Sequence, residues 1–159
     1  MVQSKRRAPR SVSASAVPRT ARRTMRDVDY EALAQFRYQV RTFLAFSEAA
    51  AERAGLTPQQ HQALLGIKGF AGPGVASIGD VARFLLIRHH TAVELMDRMA
   101  KLRLISRTAD PEDARRVRLR LTAKGEQKLK SLSRIHLAEL RAASPALSKV
   151  LRSFRARTR

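Results

Sequence analysis

Cysteine is absent from the 159 residues, and so is tryptophan. No disulfide, thiolate metal site or thiol redox switch can be built without the former. The four histidines, His61, His89, His90 and His136, lack a metal-ligand spacing. No run of 18 apolar residues is present, which excludes a membrane-spanning helix. No apolar segment near Met1 resembles a secretory signal, so a cytoplasmic location is expected. There is no nucleophile–base arrangement, phosphate loop or metal cluster, so neither an enzyme nor a cofactor is expected. Acidic residues are scarce as well: 13 stand against 32 lysines and arginines, a formal charge of +19. Such an excess implies a polyanionic partner: DNA, RNA or an anionic membrane.

The charge is uneven. Residues 1–26 hold eight basic residues and no acidic one, and Arg152, Arg155, Arg157 and Arg159 crowd the other end. Between 27 and 151 the balance is 20 basic to 13 acidic, or +7. Residues 1–26 have no apolar periodicity and read as a disordered basic tail, with 156–159 as a second basic tail. The first tail is read three ways: a solubilising segment, an arm reaching DNA, or a transit peptide. With 44% apolar residues, 27–155 can form one domain with a real core.

Along that domain, Leu33, Phe36, Val40, Phe43 and Leu44 recur at helical steps between Asp29 and Arg53, and Gly55 ends the helix. Thr57-Pro58-Gln59-Gln60 is a capping box with proline at the first helical position. The helix it opens carries Ala63, Leu64, Ile67 and Phe70, and Gly72-Pro73-Gly74 breaks it. Ser77 and Asp80 cap a short helix holding Val81, Ala82, Leu85 and Leu86. A break near Ile87-Arg88 leads to a helix from His89 to about Leu102. Its outward side is His90, Glu94, Asp97 and Lys101. Two short helices and a tight turn, with a polar face left open, form a helix-turn-helix.

Leu104 to Thr108 reads as a strand and Asp110 to Arg115 as a polar turn. Arg116 to Leu121 then alternates: Val117, Leu119 and Leu121 face one way, and Arg116, Arg118 and Arg120 the other. The open row reads either as a solvated face or as a phosphate-contacting one. A hairpin here is a wing. Thr122 caps a helix to about Ala142, whose apolar residues wrap more than one side, and Ser144-Pro145 opens a last short helix. The fold expected is mainly α with a small β-wing. A winged helix-turn-helix, about 57–121, is flanked by dimerisation helices, about 29–54 and 122–155.

The string Asp113-Ala114-Arg115-Arg116-Val117-Arg118-Leu119-Arg120-Leu121-Thr122, preceded by Asp110-Pro111, is similar to the wing signature of the MarR (multiple-antibiotic-resistance regulator) family. Thr91 to Met99, followed by Leu104-Ile105, resembles the family's recognition helix. The resemblance spans about 29–155. It implies a homodimer that represses genes from a palindromic double-stranded DNA operator. It also implies release by a small, often aromatic, ligand bound between the dimer helices and the reading head.

The expected DNA contacts are Arg88, His89, His90 and Thr91 at the start of the recognition helix, with Glu94 one turn on. Glu94 either accepts from a cytosine amino group or pairs with Arg98. In the wing, Arg115 is the minor-groove probe and Asp113 its orienting partner or a turn-former, with Arg116 and Arg118 beside them. Tyr38, Phe43, His61, Leu65 and Phe70 are candidate ligand-pocket residues, although aromatic side chains at helical spacing are more often core. The rival reading is a basic nucleoid-associated or RNA-binding protein that takes any sequence.

Overall fold

The computed structural model describes residues 26–70, 75–113 and 116–155. The two basic tails, apart from Arg26, lie outside them, as do the Gly72-Pro73-Gly74 break, Ala114 and Arg115. The elements are α1 (Asp27–Arg53), α2 (Pro58–Gly69), β1 (Ala76–Ser77), α3 (Ile78–Leu85), α4 (His89–Lys101), β2 (Ile105–Ala109), β3 (Val117–Leu121) and α5 (Ala123–Arg155). None of these helices is long and apolar enough to cross a membrane.

Local chemistry sets the boundaries. Gly55, at φ +69°, turns the chain out of α1, and Leu56 N donates back to Ala51 O at 3.0 Å. Thr57 Oγ1 accepts from Gln60 N at 3.2 Å, and Gln60 Oε1 from Thr57 N at 2.9 Å. Ser77 and Asp80 close the same box at the head of α3. Leu86 ends α3 in the left-handed region, at φ 55°, and is 92% exposed. It therefore does not join Val81 and Ala82 in the core, as helical spacing had suggested. Ile87 N instead bonds Ala82 O at 3.0 Å and turns the chain into α4.

The sheet is antiparallel, in the order β1-β3-β2, with Ala76 opposite Leu119 and Arg107 opposite Leu119 on the other edge. Strand β1 is two residues long and gives no periodic signal, so the expected hairpin gains a third strand. Leu64, Val81, Leu95, Met96, Met99, Leu104, Leu119 and Leu132 are almost wholly buried. This core joins α2, α3, α4, the sheet and the first half of α5.

A second correction concerns α5. It runs unbroken through Pro145, where two helices were expected. Proline removes one bond to the carbonyl four residues back and costs roughly 3 kcal/mol in a helix interior. The helix survives because α5 packs along α1 on both sides of Pro145, through His136 and Ser47 before it and Phe154 and Phe36 after it. Beyond it, Leu147 and Val150 are half-buried, and Phe154 meets Phe36 edge to face at 6.2 Å. Outside this seam Leu33, Val40 and Leu44 of α1 and Leu137, Leu140 and Leu151 of α5 remain exposed.

Candidate nucleic-acid interface

Helix α4 begins at Arg88, whose backbone is extended and whose side chain makes no capping bond. Its first turn thus carries amide N–H groups without a side-chain cap, at the positive end of the helix dipole. Arg88, His89 and His90 are exposed around that turn, and Thr91 is half-buried. Glu94 is exposed, with Arg98 Nη1 3.9 Å from its carboxylate, a loose ion pair on the helix surface. Asp97, farther along, pairs with Arg107 of β2 and ties the helix to the sheet. The back of α4 is fixed by Ala92, Leu95, Met96 and Met99, all buried.

The C-terminal end of α4 is held too. Lys124 Nζ donates to Leu102 O at 3.0 Å, and Thr122 Oγ1 to Arg103 O at 2.7 Å. The same Thr122 hydroxyl accepts from Gly125 N at 3.1 Å and so caps α5. Helices α4 and α5 therefore share one junction.

In the wing, Arg116 and Arg120 are exposed, as alternation implied. Arg118 departs from the open row expected of it. It is half-buried, and its guanidinium grips Asp110, with Nη2 3.0 Å from Oδ1 and Nε 2.9 Å from Oδ2. That hydrogen bond, with a second from Glu112 N, holds the Asp110 carboxyl down to about 2, well below the usual carboxylate range. Asp113 is exposed, and its carbonyl accepts from Arg116 N at 2.9 Å. Arg115 lies outside the described residues, so its relation to Asp113 has no geometry here. Asp97, Arg107 and Asp110 were absent from the expected wing partners. Asp110-Pro111 was the only hint, since ion pairs across a hairpin leave no periodic trace.

The five expected pocket residues do not form one cluster. Tyr38 and Leu65 are exposed. Phe70, also exposed, lies against Phe84 with ring centroids 5.1 Å apart. Phe43 and His61 do converge, on His136 of α5, at ring centroid distances of 5.9 and 4.7 Å. His136 bonds Leu132 O through Nδ1 at 2.7 Å and Ser47 Oγ through Nε2 at 2.8 Å. His61 is 4% exposed, and its buried Nδ1 has no hydrogen-bond partner.

Burial first, and the neighbouring His136 second, lower the pKa of His61 below 6.5. The unfolded chain therefore binds the proton more readily than the fold. The stability His61 contributes is complete above pH 6.5 and declines as pH falls below that value toward the folded pKa. Asp80, Asp110 and Glu126, with their pKa values also lowered, weaken the fold only near and below their ordinary values of about 4. A thermal melt at pH 5.5 should thus fall below one at pH 7.5, and His61→Phe should shrink the difference. An equal pH response in the variant would remove His61 as its source.

Residues 54–116, which span α2 to the wing loop, match the model of the MarR family. A solved MarR family transcription regulator superposes with a TM-score of 0.66 at 25% identity, over 83% of this chain and 85% of its own. AbsC, a MarR family transcriptional regulator from Streptomyces coelicolor, gives 0.63 at 20% identity, over 76% and 80%. MepR of Staphylococcus aureus, in a complex with DNA, gives 0.60 at 20% identity, over 76% and 86%. No curated protein matches the chain.

Proposed function

We propose that the chain is a MarR family DNA-binding transcription regulator, on the match of residues 54–116 to the family model, and that it acts in the cytoplasm as a homodimeric repressor of a palindromic operator. The observation that carries the DNA reading is the open first turn of α4, with Arg88, His89 and His90 standing out beside a basic wing. In this reading the first turn enters the major groove. Arg88, His89, His90 and Thr91 address base edges or the phosphates flanking them. Glu94, only loosely paired, accepts from a cytosine amino group. Arg115 probes the minor groove with Asp113 to orient it, and Arg116 meets phosphate. The basic tail at residues 1–26 is an arm that adds phosphate contacts.

The exposed stripes of α1 and α5 support a dimer. Leu33, Val40 and Leu44 follow helical spacing on one helix, and Leu137, Leu140 and Leu151 on the other. Two copies of a reading head on a two-fold axis match a palindrome. In this reading Phe43 and His61, which meet at His136, are the contacts of a small aromatic effector that wedges between them, separates α2 from α5 and moves the heads.

Selection of genomic fragments with the full-length protein tests the proposal. A recovered palindrome, with half-sites one helical turn apart, is the expected result. Equal retention of random DNA of the same length would favour the non-specific basic binder, to which the charged tails point.

A further inference from the structure

Arg118 sits among the basic residues of the wing, but its guanidinium is already engaged. Nη2 donates to Asp110 Oδ1 at 3.0 Å, and Nε lies 2.9 Å from Oδ2 as a close ionic contact without hydrogen-bond geometry. The pair is well covered, with side-chain exposures of 29% for Arg118 and 12% for Asp110. An ion pair on open surface contributes little, because water screens it and long side chains resist ordering. This one is sheltered, hydrogen-bonded and built into the loop it borders.

The loop bonds converge on Asp110. Its Oδ1 also accepts from Glu112 N at 2.9 Å, which turns the chain out of β2. Its own N–H donates to Arg116 O at 3.0 Å, which anchors the return into β3. In the ladder Arg118 stands opposite Thr108, so its reach to Asp110 runs diagonally toward the wing loop. Asp110 therefore holds the near side of the loop, its far side and strand β3 at once.

A carboxylate at the root of a DNA-reading wing repels phosphate. Its placement serves the wing only if the geometry it fixes outweighs that repulsion. We propose that Asp110 and Arg118 are positioning residues, a strut that sets the pose of the wing loop on DNA, and that Arg118 acts through Asp110 without touching phosphate. The inference rests on the DNA-binding reading and narrows it.

The test uses the full-length chain and a labelled duplex of random sequence, titrated at several salt concentrations. A lost phosphate contact lowers the log–log salt slope by about 0.9. Arg118→Gln should weaken binding and leave the slope unchanged. Arg118→Lys keeps the charge but lacks the planar guanidinium whose Nη2 donates to Asp110. It should lose as much affinity as Arg118→Gln, whereas a phosphate contact would largely survive it. Asp110→Asn removes a negative charge and retains an oxygen for Glu112 N. As a mere charge its removal tightens binding; as a strut its removal weakens binding about five- to tenfold, and the double variant is no worse than either single one. Circular dichroism checks that each variant is folded, and the slope and the lysine variant decide the matter if Asp110→Asn is not. A slope reduced by about 0.9 in Arg118→Gln, wild-type affinity in Arg118→Lys, or tighter binding by Asp110→Asn would each overturn the strut. A wild-type protein that binds no duplex overturns the DNA-binding reading and the strut together.

Discussion

Gly125→Ala lowers the stability of the fold by about 2 kcal/mol, the balance of a backbone clash against a gain in helix propensity. A Cβ on Gly125 would lie 2.1 Å from the carbonyl oxygen of Leu104 and 3.5 Å from Leu64 Cδ2. The oxygen cannot step aside cheaply, because it accepts from Thr122 N at 3.1 Å and Thr122 Oγ1 at 3.2 Å. The first turn of α5 would have to lift from β2, which loosens the bonds of Thr122 and Lys124 to the end of α4. Overpacking of this kind costs roughly 3 kcal/mol, offset by about 1 kcal/mol because alanine favours a helix over glycine. Two controls separate clash from propensity. At Gly66 the added carbon would meet Phe84 Cδ1 at 2.6 Å, the edge of a half-buried ring that can turn, so the loss is smaller. At Gly69 it meets nothing within 4 Å, and alanine is neutral or stabilising. Urea or thermal unfolding gives the order. A Gly125→Ala protein as stable as the wild type would show that the junction between β2 and α5 is looser than its hydrogen bonds imply.

The winged helix-turn-helix was legible in the sequence because its signals are local. Each capping box lies within four residues, and the alternation of Val117, Leu119 and Leu121 within five. Both survive folding because neighbouring residues decide them. Features set by distant residues were not legible. Ser47 and His136 are 89 positions apart, and no spacing rule pairs them. His136 carried no signal beyond being a histidine, yet it is the group on which Phe43, Phe46 and His61 converge. Pro145 misled for the opposite reason. The local rule against proline in a helix is sound, but packing of α5 on α1 outweighs it. Leu86 was misread because helical spacing counts a residue at the end of a helix as if the helix continued. Its left-handed backbone turns it out to solvent.

The same distinction governs the basic row of the wing. Period two correctly separates the faces of β3, but it cannot say whether an arginine on the outer face is free. Arg116 and Arg120 are exposed, while Arg118 is taken up by a carboxylate eight positions earlier. Charge counting therefore overstates the cations available for phosphate. Arg107, held by Asp97, is a second arginine so engaged. The reading head spends part of its positive charge on its own geometry.

If the stripes of α1 and α5 join two copies, charge placed on them should weaken operator binding by orders of magnitude without touching the reading head. Leu137 and Leu140 are 52% and 40% exposed in the single chain. Neither belongs to the buried core cluster, so Leu137→Glu with Leu140→Glu leaves the interior of one chain intact. In a dimer the same positions are covered, and an unpaired carboxylate there costs several kcal/mol if it stays ionised. The expected result is a folded monomer by light scattering, with helical circular dichroism retained. Each monomer keeps one reading head, so weak binding to a half-site persists. Binding to the full operator falls by roughly 10²- to 10⁴-fold, because the second head no longer arrives at the high effective concentration set by its tether to the first. The contrast with Arg118→Gln is diagnostic: that variant weakens every head equally, whereas this pair spares the head and removes its partner. A double variant that remains dimeric and binds the operator like the wild type would show that the two copies meet elsewhere.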